Sequence, residues 1–112
     1  MAKTLINFGA NVNQAGNHRV TALSISALKG FTDIVEMLID NGAALNVEDN
    51  DGATPIWLAA SYGHLETVRI IADAGADLYK GDANGIAPVT AAELNGFHET
   101  AIYLKNVTQH SQ

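Results

Sequence analysis

The sequence contains no cysteine, only two prolines and one tryptophan, and half as many basic as acidic residues. Each shortage excludes something. Without cysteine there is neither a disulfide framework nor a thiol nucleophile. Six basic against twelve acidic residues give a net charge of −6, which opposes the phosphate backbone of nucleic acid and an anionic membrane surface. Neither nucleic acid nor membrane is an expected partner. The longest apolar runs fall far short of the roughly 20 residues that span a bilayer. The N-terminus, MAKTLINFGANVN, lacks the apolar segment and small-residue cleavage site of a signal peptide. The expectation is a soluble chain in a reducing interior, intracellular and cytoplasmic. Asn106-Val107-Thr108 has the form of a glycosylation sequon, but without a secretion signal it is a chance match.

At 112 residues the chain suits one domain, large enough for a core without metal or disulfide staples. What organises it is a period. Gly52 and Gly85 stand 33 residues apart, as do Pro55 and Pro88, Gly63 and Gly96, and Glu66 and Glu99. Upstream the same shift pairs Thr54 with Thr21, Gly63 with Gly30, Val68 with Val35, Gly75 with Gly42, and Gly42 with Gly9. Self-similarity at this spacing marks a stack of repeated units.

One copy shows the physical logic. Thr54 can cap a helix by accepting a bond from an orphan N–H, and Pro55 suits the first helical position, where its missing N–H costs nothing. Ile56, Leu58, Ala59 and Ala60 supply the apolar side, and Gly63 a left-handed stop, so this helix runs about two turns. A second helix is expected at roughly Leu65 to Asp73, with Leu65, Val68, Ile70 and Ile71 apolar and Gly75 as terminator. Asp49-Asn50-Asp51-Gly52 carries the chemistry of a tight reversal linking one hairpin to the next, with Gly52 suited to positive φ. The small pair Ala59-Ala60 permits close helix approach, where added methylenes would overpack at about 1 to 3 kcal/mol.

These residues carry a resemblance. The segment DNDGATPIWLAASYGHLETVRIIADAGADLYKG is similar to the ankyrin repeat, whose pattern runs Gly-x-Thr-Pro-Leu-His-x-Ala-Ala-x-x-Gly-His and ends Gly-Ala-Asp. The resemblance covers nearly all of the chain as one domain: a partial unit at 2–15, units at 16–48 and 49–81, a C-terminal capping unit at 82–105, and a tail at 106–112. It implies an all-α repeat, or solenoid, of stacked helical hairpins joined by β-turn fingertips. First helices would line a concave face. It implies protein binding without catalysis.

Departures from the pattern carry their own expectations. The first unit has only the tail of its second helix, Lys3 to Asn7, so the chain is expected to be a segment of a longer array with an uncapped N-terminal end. Arg19 stands where Gly52 and Gly85 do and costs about 1 kcal/mol if the backbone there needs positive φ. Ala22 replaces Pro55, and Ser24 and Ser26 enter the helix. In the last unit Ala87 replaces the capping Thr. Glu93 replaces the second small Ala, which suits an exposed end.

Reactive chemistry has little support. His18, His64, His98 and His110 form none of the i, i+4 pairs of helical metal motifs; the resemblance makes His64 the Gly-His histidine, bonding a neighbouring loop. The stretch VEDNDG crowds three acids before a glycine, but a calcium loop needs an acid five residues before Gly52 and a glutamate six after it. Those positions hold Val47 and Leu58. No Gly-x-Ser-x-Gly elbow, Gly-rich phosphate loop or His-Glu-x-x-His occurs. No enzyme activity, cofactor or metal is expected.

Function is expected at positions that the period leaves free. By the resemblance these are the turn tips and two positions late in each first helix. They are Asn17, His18, Val20, Leu28 and Lys29 in the second unit, and Asn50, Asp51, Ala53, Ser61 and Tyr62 in the third. In the last they are Ala83, Asn84, Ile86, Leu94 and Asn95. Trp57 replaces the usual histidine nearer the concave base. Such a mixture of aromatic anchor, apolar tips and amides is that of a protein interface, and Tyr62 is the foremost candidate. Arg19 and Lys29 lie at one end of this strip and Asp49, Asp51 and Asp82 further on, so a partner of reverse gradient would dock in one register.

Two alternatives accompany this reading. Leu5, Ile6 and Phe8 at the N-terminal end could support self-association. Asn13 and Asn46 each follow a leucine eight residues back, Leu5 and Leu38, a spacing that resembles targets of asparagine hydroxylation in animal ankyrin repeats. The competing reading is that this Asn bonds the turn.

Overall fold

The computed structural model describes residues 20–109. Among these residues there are six helices and no strand: α1 (Ala22–Lys29), α2 (Thr32–Asp40), α3 (Pro55–Ser61), α4 (Leu65–Asp73), α5 (Pro88–Leu94) and α6 (His98–Gln109). The partial unit at 2–15, Arg19, Leu5, Ile6 and Phe8 lie outside the described residues, as does His110.

Helix starts follow from the capping chemistry. The Thr54 hydroxyl accepts the Trp57 N–H at 3.3 Å, with Pro55 at the first helical position. Thr21 does the same for Ser24 at 3.2 Å, and its hydroxyl also meets that of Ser24 at 3.1 Å, which gives a polar side chain at this buried position a partner. Ala87 has no capping side chain. Even so α5 begins there, because Pro88 presets the helical φ and the Ala87 carbonyl accepts the first intrahelical bond from Ala91 N–H at 2.9 Å.

The helices stack in two rows. α1, α3 and α5 pack side by side, α2, α4 and α6 form the second row, and each first helix also packs on the second helix that follows it. Leu38, Ile71 and Leu104, spaced at the repeat period, are all fully buried, as are Leu23 and Ile56 in the first row. Removing each such side chain from water contributes roughly 1.5 to 3 kcal/mol. Ala59 and Ala60 are buried where α3 meets its neighbours, which is the close approach their size predicts.

At the far end, Glu93 is exposed and its carboxylate pairs with the Lys105 ammonium at 2.6 Å. Helix α6 continues to Gln109, past residue 105 and into the expected tail. Thr108 Oγ1 donates back to the Leu104 carbonyl at 2.8 Å, and the Tyr79 hydroxyl donates to the Thr108 carbonyl at 3.1 Å. That outside donor serves one of the carbonyls that a helix end leaves orphaned.

Candidate functional site

Two turns 33 residues apart in sequence are built alike. In the first, Asp49 N–H donates to Ala53 carbonyl at 3.0 Å and Gly52 N–H to Asp49 carbonyl at 2.9 Å. One oxygen of the Asp49 carboxylate accepts the Asp51 and Ala53 N–H groups at 2.8 and 3.0 Å. Asp82 repeats this with the N–H groups of Asn84 and Ile86, at 2.9 and 3.0 Å. An aspartate side chain holding its own turn is the physical reason for Asp at these positions.

The two turns also touch. Ala83 N–H donates to the Asp51 carbonyl at 2.9 Å. Gly52, at φ +79°, makes this possible, since a Cβ there would lie 2.6 Å from the Ala83 nitrogen. Behind the turns the Trp57 indole N–H donates to the Ile86 carbonyl at 2.8 Å, which ties α3 to the following turn.

Between these turns and α3 lies a groove of about 560 Å³. It brings together eight of the positions expected from the sequence: Asn50, Asp51, Ala53, Trp57, Ser61, Tyr62, Ala83 and Asn84. Tyr62 is 54% exposed, and its ring stacks on that of His64 with centroids 6.5 Å apart and an interplanar angle of 11°. Ser61 is 8% exposed, and the Asn95 amide donates to both its carbonyl and its hydroxyl, at 2.9 and 3.0 Å. Ser61 and Asn95 therefore join successive first helices as well as bordering the free surface. Ala53 lines the groove but is buried.

Other candidates lie elsewhere. Lys29 is exposed at the end of α1, at the position in its unit that Tyr62 and Asn95 hold in theirs. Val20 and Ile86 are half-buried and do not line the groove. Asn17, His18 and Asn13 lie outside the described residues. Asp49 and Asp82, expected only as part of the charge gradient along the strip, also line the groove; both are visible as the acids that open the turn at the repeat period.

A family model described as Ankyrin repeats (3 copies) matches residues 1–82, well over half of the chain. The chain belongs to the ankyrin-repeat family. No curated protein matches it significantly. Ankyrin repeats are in general protein–protein interaction modules, and the family is typically non-catalytic.

Within this ankyrin array, His64 bonds a helix end where the resemblance implied a neighbouring loop, with Nε2 2.9 Å from the carbonyl of Leu28 in the last turn of α1. The Asn46 side chain is exposed, and its carbonyl oxygen accepts the Asp77 N–H at 2.9 Å, linking one unit's loop to the next. Such a bond accounts for an asparagine here without modification. Among the described residues no group of three or more His, Cys, Asp or Glu is placed to hold a metal ion, and no helix is long and apolar enough to cross a membrane.

Proposed function

We propose that this chain is a non-catalytic recognition module whose groove between the Asp49 and Asp82 turns and α3 receives a protein or peptide. The supporting observation is convergence: positions that the ankyrin resemblance implies are free for contact come together around one 560 Å³ space. That volume falls within the range of specific binding clefts. Tyr62 is exposed yet oriented by His64, so it offers a large contact area with little rotamer freedom to lose on binding.

The test is affinity capture from source-cell lysate with the unmutated chain and a Tyr62→Ala/Asp51→Ala variant, followed by titration of any captured protein in purified form. The groove reading predicts a loss of roughly tenfold or more in affinity, as for truncation of an interface anchor. Lys29→Ala, outside the groove, should have a smaller effect. A partner bound equally by the chain and the double variant would place the site elsewhere.

A further inference from the structure

We infer that the groove accepts an arginine side chain carried on an extended segment of the partner. The inference rests on the groove being the partner-binding site, and it names the chemistry that site selects.

Charge is the first ground. Asp49, Asp51 and Asp82 line the groove and, among the described residues, no lysine or arginine does. Asp49 and Asp82 engage backbone N–H groups through Oδ1, and among the described residues no cation pairs with either carboxylate. The ion pairs among the described residues, Arg69 with Glu66, Lys80 with Glu48 and Lys105 with Glu93, involve none of the three. Carboxylates of one sign around a walled cleft focus a field that favours a cationic occupant. Among the described residues these acids do not converge as a metal-ligand set, which favours an organic cation.

Shape is the second ground. Trp57 and Tyr62 give the groove two aromatic rings, and both are held. The indole is fixed through its N–H to the Ile86 carbonyl, and the phenol ring by its stack on His64. A guanidinium is flat and weakly hydrated, and it can lie on a ring while donating two parallel bonds to a carboxylate. An ammonium has the charge without the plane. The chain already uses the pairing on its other helical row, where the Arg69 guanidinium lies over the Tyr103 ring, 5.6 Å from its centroid. The groove also exceeds what one side chain fills, which leaves room for flanking main chain.

The experiment selects binders to the full chain from a displayed library of random dodecapeptides, then titrates the synthetic peptides. Arginine should be enriched at one position. Its replacement by citrulline, which keeps the shape and removes the charge, should weaken binding about tenfold or more, and lysine should fall between. Asp51→Asn should weaken the arginine peptide and leave the citrulline peptide nearly unchanged, the coupling expected of a direct pair. Unchanged melting of Asp51→Asn would show that the fold is intact. Peptides lost on Tyr62→Ala but indifferent to citrulline would overturn the arginine assignment while leaving the groove as the site. Peptides indifferent to both substitutions would overturn the two readings together, and a selection yielding no binder would overturn the extended-segment inference.

Discussion

The His64 imidazole donates from Nε2 to the Leu28 carbonyl, 2.9 Å away and 36 residues earlier, across the boundary between two successive helical hairpins. A carbonyl can only accept, so the proton on Nε2 is required by the geometry. The bond serves a carbonyl at the end of α1 that has no intrahelical partner position left. In a stack where each unit touches only its neighbours, such links set the cooperativity of unfolding. His64→Ala should destabilise the chain by about 1 to 2 kcal/mol. Urea denaturation should show this as a lower midpoint, with a shallower slope if the hairpins begin to unfold separately.

Gly63 and Gly75 both have positive φ, +75° and +105°, but only Gly63 is also covered. A Cβ at Gly63 would run into the Phe97 ring, whereas nothing lies within 4 Å of one at Gly75. Gly75→Ala should therefore cost only the left-handed penalty, about 1 to 2 kcal/mol. Gly63→Ala should cost clearly more. Adding Phe97→Ala to Gly63→Ala should show a favourable coupling in a double-mutant cycle, and simple additivity would mean the ring is not the obstacle.

Much of this fold is legible in the sequence because its determinants are local. Thr54 and Pro55 mark the start of α3 and Gly63 its stop, and α4 spans Leu65–Asp73 as expected. What the sequence conceals depends on how far apart successive units stack. Nothing near Trp57 announces a bond to Ile86, 29 residues on, and nothing near Asn95 announces one to Ser61, 34 residues back. The candidate site was legible to the same extent. The period isolates the free positions, but the groove joining Asp51 to Tyr62 and Asn84 exists only once two turns and a helix are placed together.

Asp49 and Asp82 each hold a turn through two backbone bonds to one oxygen. Asp82→Ala removes the acceptor of both bonds and should cost roughly 1 to 3 kcal/mol. Asp82→Asn keeps an acceptor oxygen and should cost less. Amide exchange at Asn84 and Ile86, whose N–H groups point at Asp82, should accelerate in the alanine variant more than exchange in α3.

Tyr103 on α6 has its phenol pKa raised above 10.0 by burial and then by the nearby Asp73 carboxylate, with Arg69 opposing. A raised folded-state value means that the folded chain keeps a proton the unfolded chain gives up. The Tyr103 contribution to stability is thus fully present below about pH 10 and is lost as pH rises through the raised value. Ultraviolet titration of the phenols should find one late component that disappears in Tyr103→Phe. Asp73→Asn should move that component toward lower pH.

Trp57 and Tyr62 share the groove but differ in what holds them, and this separates stability from recognition. The Trp57 indole N–H bonds the Ile86 carbonyl, so Trp57→Phe keeps an aromatic wall and breaks the tie between α3 and the next turn. Its cost should be about 1 kcal/mol, the net value of one such bond. Tyr62 is exposed, and no hydrogen bond of its hydroxyl is found among the described residues. Tyr62→Ala should change stability by about 0.5 kcal/mol or less. Binding should rank the two in reverse, with Tyr62→Ala the more damaging because truncation removes the anchor and substitution to Phe does not. Thermal melts monitored by circular dichroism, set beside titrations of one selected peptide, measure both rankings. The same order in both would mean that Tyr62 supports the fold and does not contact a partner.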